Sequence, residues 1–208
     1  MQFGIVQSVI RKIQINHLSA VTVNTVLPKN DFVKISQEIL KLPTLHLMVG
    51  LPCSGKTTKA KILEKENNAL LLSVDKWHIK LFGNDAVASD HDKNHDNVEE
   101  ILWEIAQRVL KLGIDVILDF GFWGKSERIY FRNKAKEFGI NFKMHVMNVS
   151  KDELIRRLEK RNRELPEGVF FIPVEKMNDY FKMFQPVEQD ELEENSNTNI
   201  IGKWHNFT

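Results

Sequence analysis

The segment that most constrains this chain runs from residue 50 to residue 57 and fits the pattern G-x-x-x-x-G-K-[ST]. An apolar run at residues 45–49, typical of a buried strand, precedes it, and a helical pattern follows it. Glycines let such a loop curl until successive N–H groups point into one concavity, and the next helix adds its positive dipole end. Because both glycines, the lysine, the threonine and the strand-helix context are present, the segment is predicted to be a phosphate-binding loop.

The residue types in this loop indicate which ligand it binds. Lys56 supplies a positive charge for the β- and γ-phosphates of a nucleotide, and Thr57 supplies a hydroxyl for Mg²⁺. We therefore predict that the chain binds ATP together with Mg²⁺. The predicted ATP-binding residues of the loop are Gly50, Leu51, Pro52, Cys53, Ser54, Gly55, Lys56, Thr57 and Thr58.

Composition narrows the class of protein and its partners. The chain has 208 residues, and its 42% hydrophobic and 27% charged content is ordinary for a globular domain. No apolar run approaches the ~20 residues of a membrane span. The net charge of +1 creates no general attraction to nucleic acid or anionic lipid, so no membrane partner is expected and nucleic acid is not favoured. A single cysteine, which excludes an internal disulfide, favours a cytoplasmic location.

The first 42 residues differ from the rest of the chain. They carry no acidic residue before Asp31, and Pro43 follows them. We expect an accessory N-terminal extension over residues 1–42 and a single P-loop domain over residues 43–208.

Beyond residue 43, apolar runs near 44–49, 69–73, 114–120 and 142–149 alternate with helical patterns. Such alternation predicts parallel strands joined by crossover helices. The expected architecture is an α/β, three-layer P-loop NTPase fold, with a mainly parallel five-stranded sheet and helices on both faces. Ligands of such sheets lie beyond the carboxyl ends of the strands.

Two carboxylates are predicted at that edge of the sheet. Asp75 follows the second predicted strand, and Asp119 ends the third. A carboxylate there can orient an attacking hydroxyl or a metal-bound water. Asp75 also begins a helical pattern, so the sequence position by itself leaves open whether it is a base or a helix N-cap.

A cluster of arginines follows the fourth predicted strand. Arg157 and Arg161 are four residues apart and share one helix face, and Arg156 and Arg163 flank them. A loop with two prolines and a glycine comes next and ends at Pro173. We interpret residues 157–173 as an arginine-bearing lid.

The combined motifs resemble the small P-loop kinases, the group that contains polynucleotide 5′-kinases, chloramphenicol phosphotransferase and zeta toxins. The resemblance is closest to bacterial members described as ATP-binding or AAA-family proteins, and it covers residues 44–192. It is carried by Gly50-Leu51-Pro52-Cys53-Ser54-Gly55-Lys56-Thr57-Thr58, Ser73-Val74-Asp75, Leu118-Asp119-Phe120-Gly121-Phe122-Trp123 and Arg157-Leu158-Glu159-Lys160-Arg161-Asn162.

The resemblance implies roles for five of these residues. It makes Asp75 the base that acts on the acceptor hydroxyl, and it places Asp119 on the substrate or in the water shell of Mg²⁺. Arg157 and Arg161 would contact ATP or stabilise the migrating phosphoryl group. With Lys56, the implied catalytic set is Lys56, Asp75, Asp119 and Arg161.

The acceptor site is expected among the remaining residues at the strand ends. Aromatic surface near both carboxylates would suit a planar or sugar-like acceptor, although single aromatic residues there are at least as often packing residues. The predicted substrate-binding residues are Asp75, Trp77, His78, Asp119, Phe122, Trp123 and Arg128. His91 and His95 are four residues apart, but they lie in a polar run without the apolar shell of a zinc site.

The function that these features favour is transfer of the γ-phosphate of ATP onto a hydroxyl of a small molecule or nucleotide. Two alternatives stay open. One is a polynucleotide end kinase, which needs a basic groove. The other is a regulatory module that binds ATP without transferring phosphate.

Overall fold

A computed structural model of the chain describes residues 42–84, 88–193 and 199–201. The predicted N-terminal extension lies outside these ranges apart from Leu42. The strands are β1 (Thr44–Val49), β2 (Leu70–Ser73), β3 (Val116–Gly121), β4 (Asn141–Met147) and β5 (Asn199–Ile201). The helices are α1 (Lys56–Asn67), α2 (Val74–Phe82), α3 (His91–Lys111), α4 (Lys125–Glu137), α5 (Lys151–Glu164), α6 (Lys176–Met183) and α7 (Gln189–Glu193).

The strands form one parallel sheet in the order β2-β3-β1-β4-β5. β1 lies between β3 and β4, with Leu45 opposite Val116 on one side and Phe142 on the other. The predicted α/β fold with a parallel sheet flanked by helices is confirmed for β1 to β4. The three-residue β5 pairs with the end of β4.

Every residue of β1 is buried, because helices cover both faces of the sheet. On one face, Leu45, Leu47 and Val49 join a core that includes residues of α3 and α4. On the other face, Met48 packs with Ala60 of α1. The continuous apolar run of β1 therefore reflects a strand at the centre of three layers, and the loop that follows it begins at the carboxyl edge of the sheet.

The spacing of Val98, Ile101, Leu102, Ile105, Val109 and Leu110 predicts one apolar face of a helix that follows a polar run, and helix α3 differs from this prediction in two ways. It begins at His91, so the polar run before residue 97 is its first turns and not a preceding loop. Its buried stripe has a spacing of four residues and consists of Val98, Leu102, Ala106 and Leu110. Ile101 and Ile105, which the periodicity places on the same face, are 55% and 37% exposed. No helix among the described residues combines the length and the apolar character needed to cross a bilayer.

A buried polar pair links the two central strands. His46 of β1 and His145 of β4 stack with ring centroids 5.2 Å apart, and His46 Nδ1 lies 3.0 Å from His145 Nε2. Asp115 lies beside His46 and accepts a hydrogen bond of 2.8 Å from the backbone N–H of Thr44. Burial, assisted by the charges of neighbouring groups, lowers the pKa of His145 to about 3.

This histidine is expected to make the fold sensitive to acid. Between pH ~6.5 and ~3 the unfolded chain binds a proton at His145 that the folded chain does not. The contribution of neutral His145 to the free energy of unfolding is therefore complete above pH ~6.5, and it falls by about 1.4 kcal/mol for each pH unit below that value. We expect His145→Gln to remove about 2 kcal/mol of the stability difference between pH 7 and pH 5. Denaturant unfolding of both proteins at the two pH values tests this, and an equal pH dependence would contradict it.

Candidate active site

The phosphate-binding loop is anchored to the neighbouring strand by its first glycine. The N–H of Gly50 donates a hydrogen bond of 2.9 Å to the carbonyl oxygen of Gly121, the last residue of β3. Gly50 has a φ of +148°, and a Cβ atom there would lie 2.8 Å from Ser54 Oγ and 3.1 Å from Met147 Cβ. Glycine at position 50 is therefore a steric requirement, since no side chain fits where the loop leaves β1.

Cys53 is the residue of the loop whose backbone is strained. Its φ of +64° lies in the left-handed region, which costs a residue with a Cβ about 1–2 kcal/mol. Burial raises the pKa of its thiol, although the charges of Arg161, Lys56 and Arg157 act in the opposite direction. The thiol is therefore protonated at neutral pH and is a poor nucleophile.

Lys56 is held against its own loop. Its Nζ donates a hydrogen bond of 2.9 Å to the carbonyl oxygen of Leu51. Burial lowers the pKa of Lys56, and the charges of Asp119 and Asp75 partly oppose this. The lysine therefore shares one electrostatic environment with the two carboxylates that the sequence places after β2 and β3. A nucleotide phosphate in the loop would replace the neutral carbonyl as its partner, which is a stronger, charge-assisted contact.

Thr57 and Asp119 form the second polar contact of the loop. Thr57 Oγ1 donates a hydrogen bond of 2.6 Å to Asp119 Oδ2, while the buried Asp119 Oδ1 has no hydrogen-bond partner. Burial raises the pKa of Asp119, against the opposing influence of Lys56 and Thr57. A buried carboxylate oxygen without a partner, next to a hydroxyl, is a donor set suited to Mg²⁺.

Magnesium would need the nucleotide to complete its coordination. Among the described residues, no group of three or more His, Cys, Asp or Glu side chains is arranged to hold a metal ion. Mg²⁺ characteristically keeps several waters and binds through one or two protein oxygens together with phosphates. Thr57 would hold it directly, and Asp119 would act on its water shell.

Asp75 is not the N-cap of α2. The N-cap residue is Ser73, and Asp75 is the second residue of the helix. Its Oδ1 lies 3.6 Å from His95 Nε2, and 56% of the side chain is exposed. Desolvation by itself raises the pKa of Asp75, but the His95 ring and the charges of Lys56 and Arg161 outweigh it, so the pKa lies below its ordinary value. The carboxylate is therefore ionised at neutral pH and accessible to an acceptor.

Two arginines of α5 lie near the phosphate-binding loop. Arg157 Nη1 lies 3.4 Å from the carbonyl oxygen of Cys53, and its Nε donates to Glu153. Arg161 Nη2 donates a hydrogen bond of 3.2 Å to the carbonyl oxygen of Phe170, while its buried Nε has no partner. Arg163, by contrast, is exposed to solvent. Arg157 and Arg161 therefore lie near the loop, and their contact with ATP stays a prediction.

The segment after α5 packs down onto the domain. Asn162 Nδ2 donates a hydrogen bond of 2.6 Å to the carbonyl oxygen of Ile172, and Asn84 bonds to the backbone of Val169 and Phe171. Phe170 and Ile172 are buried in a cluster that also contains Leu51 of the loop. The structure thus holds the proposed lid segment against the phosphate-binding loop. Asn162 stands in one of the motifs that carry the resemblance, but the role of both asparagines depends on contacts across the fold, which no local pattern reports.

The predicted acceptor residues divide into two groups. Trp77 is 42% exposed, and Trp123 is partly buried, with its Nε1 donating 3.1 Å to the carbonyl oxygen of Gly50. In contrast, His78, Phe122 and Arg128 are fully buried or nearly so. These three side chains pack inside the domain, so we exclude them from the predicted acceptor-binding residues.

The bend after β3 explains the position of Trp123. Gly121 and Phe122 both have positive φ, +105° and +49°. A Cβ atom on Gly121 would lie 3.0 Å from Trp123 Nε1. The chain therefore turns back over the phosphate-binding loop, where Trp123 also packs on Tyr180 with ring centroids 5.0 Å apart.

Comparison with known proteins places this geometry in a family. Residues 45–186 match the family described as an AAA domain. A proposed kinase from Chloroflexus aurantiacus has a TM-score of 0.62 at 16% identity, over 77% of this chain and 88% of that chain. Kti12 from Chaetomium thermophilum, solved with ADP-AlF3, has a TM-score of 0.55 at 20% identity, over 76% of this chain and 88% of that one.

A third similar structure is a sugar kinase from Janibacter sp. HTCC2649, with a TM-score of 0.54 at 16% identity, over 76% of this chain and 84% of that chain. These identities are low, so the similarity concerns the fold. The family match covers more than half of the sequence and includes the phosphate-binding loop, both carboxylates and the arginines of α5. The chain therefore belongs to the AAA domain family and has the fold of the small P-loop kinases.

Proposed function

We propose that the protein is an ATP-dependent phosphotransferase that moves the γ-phosphate onto a hydroxyl of a small molecule or nucleotide. The observation that carries this proposal is the position of Asp75. Its ionised carboxylate is exposed and shares the electrostatic environment of the phosphate-binding Lys56. A module that only binds nucleotide has no need of a solvent-accessible carboxylate at this place.

Each residue has a distinct part in this proposal. The loop N–H groups and Lys56 hold the β- and γ-phosphates, and Mg²⁺ supplies further positive charge on them when bound. Thr57 and Asp119 hold the metal or its waters. Arg161, which faces the same groups from α5, balances the charge of the migrating phosphoryl group. Asp75 accepts the proton of the acceptor hydroxyl as the new O–P bond forms, while the bond between the γ-phosphorus and the bridging β-phosphate oxygen breaks and ADP leaves.

The charges near Asp75 favour a small acceptor over a polynucleotide. Glu99 contacts His95, the neighbour of Asp75, and burial together with the charges of Glu127 and Asp96 raises the pKa of Glu99 to about 7. Such a group of carboxylates would repel a chain of phosphates. The alternative of a polynucleotide end kinase predicts salt-sensitive binding of short DNA or RNA in a filter assay, and our proposal predicts none.

The direct test is transfer of radiolabelled γ-phosphate from Mg·ATP into a panel of metabolites, nucleosides and oligonucleotides. We expect a labelled product whose rate of formation falls by about 10²–10³ in Lys56→Ala, because a preorganised charge on the phosphates is lost. Lys65→Ala makes the same change in the last turn of α1 and should have no effect. Tight binding of Mg·ATP with no labelled product from any part of the panel would favour the non-catalytic alternative.

A further inference from the structure

A histidine that the sequence analysis associated only with a weak metal pattern lies beside the proposed base. His95 Nε2 is 3.6 Å from Asp75 Oδ1, and His95 Nδ1 is 3.5 Å from Glu99 Oε1. The imidazole ring thus stands between a carboxylate of α2 and a carboxylate of its own helix.

Both ring nitrogens of His95 face carboxylate oxygens, so the site favours the doubly protonated imidazolium over the neutral ring. A neutral imidazole has one nitrogen that only accepts, and that nitrogen would point a lone pair at a carboxylate. The imidazolium form donates from both nitrogens. Although burial opposes it, the two carboxylates raise the pKa of His95 above its ordinary value.

The ring is also held in place by its neighbours. His78 and His91 each have a ring centroid 5.7 Å from that of His95, and they lie 4.7 Å from each other. Phe170, from the segment that covers the loop, packs edge-on against both of these rings. His95 is therefore packed against aromatic rings, and a carboxylate oxygen lies 3.6 Å from its Nε2 and 3.5 Å from its Nδ1.

We propose that His95 is a positioning residue, which in its imidazolium form orients the Asp75 carboxylate toward the acceptor and keeps it ionised, with Glu99 as the anchor of the ring. This inference rests on the proposed function, because it assigns a purpose to the orientation of Asp75. His95 itself need not touch substrate. It acts on the Asp75 carboxylate, which touches the substrate, by fixing its orientation and its negative charge.

Other charges face this group from the surrounding elements. Lys56 from α1 and Arg161 from α5 act on Asp75, while Asp96 of α3 and Glu127 of α4 act on the Glu99 end. Tyr180 of α6 also lies within the field of Asp75. The cations act on Asp75 and the further carboxylates act on Glu99, so the His95 imidazolium stands between the two carboxylates and contributes positive charge to both.

The test does not require the acceptor. Histidine titrations are followed by NMR on protein with labelled imidazole rings, and His95→Gln identifies the signal of His95. We expect its midpoint to lie above the ordinary value of ~6.5 in the wild type, and to fall by roughly half a pH unit in Asp75→Asn and again in Glu99→Gln. Glu100→Gln is the matched control, since it makes the same change one residue further along α3, at an exposed position, and should leave the midpoint unchanged.

A second measurement connects the titration with phosphoryl transfer. Phosphate release from Mg·ATP, with water as the acceptor, is measured from pH ~3.5 to pH ~8 for wild type and His95→Gln, a range that reaches the low pKa of Asp75. The variant should bind Mg·ATP as the wild type does, and its activity should be lost at a higher pH on the acid side, because Asp75 without the imidazolium takes up a proton more easily. A His95 midpoint at or below ~6.5 that neither variant moves would overturn the proposal. Absence of all transfer would overturn the proposed function alone, since the titration would still report the contact.

Discussion

Replacing Asp75 with asparagine is expected to lower the rate of phosphoryl transfer by about 10²–10⁴ while Mg·ATP binding is retained. The variant keeps the size of the side chain and loses the ability to accept a proton. The nucleotide contacts of the loop come from Lys56, Thr57 and backbone N–H groups, which the substitution does not touch. Single-turnover transfer of labelled γ-phosphate to the acceptor found in the panel, beside an equilibrium measurement of nucleotide binding, separates the two effects.

The control for this prediction is Asp152→Asn. Asp152 is the second residue of α5, as Asp75 is the second residue of α2, and it is exposed to solvent. Both substitutions remove a negative charge from the first turn of a helix, and that change alone has only a small effect on stability. Equal transfer rates in Asp75→Asn and Asp152→Asn would show that Asp75 is an ordinary first-turn aspartate and not the base.

The phosphate-binding loop could be predicted from the sequence because its signal is local. The spacing of its glycines, lysine and threonine is fixed by the shape that the backbone must take around a phosphate. The structure adds the reason for the first glycine, where a Cβ atom would meet Ser54 and Met147. The buried strand before the loop and the parallel order of the sheet followed from equally local patterns of apolar residues.

The surroundings of Asp75 could not be predicted in the same way. The sequence leaves open whether Asp75 caps a helix, and the structure shows that Ser73 occupies that position. His95 reaches Asp75 only because α3 begins at His91 and packs beside α2. The spacing of residues along one helix or strand does not show which residues contact another element. The polar run that contains His95 is typical of a loop, so nothing in the sequence indicates that His95 lies beside Asp75.

Arg128 illustrates the opposite case, in which position at the site suggests binding but the contacts indicate packing. The sequence places it one turn into a helix that begins beside Trp123, which makes it a candidate for the acceptor. In the structure its guanidinium is fully buried, and its partner Glu191 lies 63 residues further along the chain. A partner at that distance is not visible in any local pattern.

Substitution of Arg128 by methionine is therefore expected to lower the free energy of unfolding by about 3–5 kcal/mol. Its Nε and Nη2 donate to the two carboxylate oxygens of Glu191, each at 2.8 Å, and neither side chain is exposed. Its Nη1 donates to the carbonyl oxygens of Phe122, Trp123 and Gln185. Methionine fills a similar volume but leaves the Glu191 charge buried without its cation.

Two further variants decide whether this loss comes from the buried pair. Lys134→Met removes a cation from the same helix, where Lys134 pairs with Glu137 at the surface, and should change stability little. The double variant Arg128→Met with Glu191→Leu removes both charges and should recover much of the loss, because two apolar side chains can replace a buried ion pair. Denaturant unfolding measures all four proteins. If Arg128→Met leaves the free energy of unfolding unchanged and weakens binding of the acceptor, Arg128 is an acceptor-binding residue, as the sequence predicts.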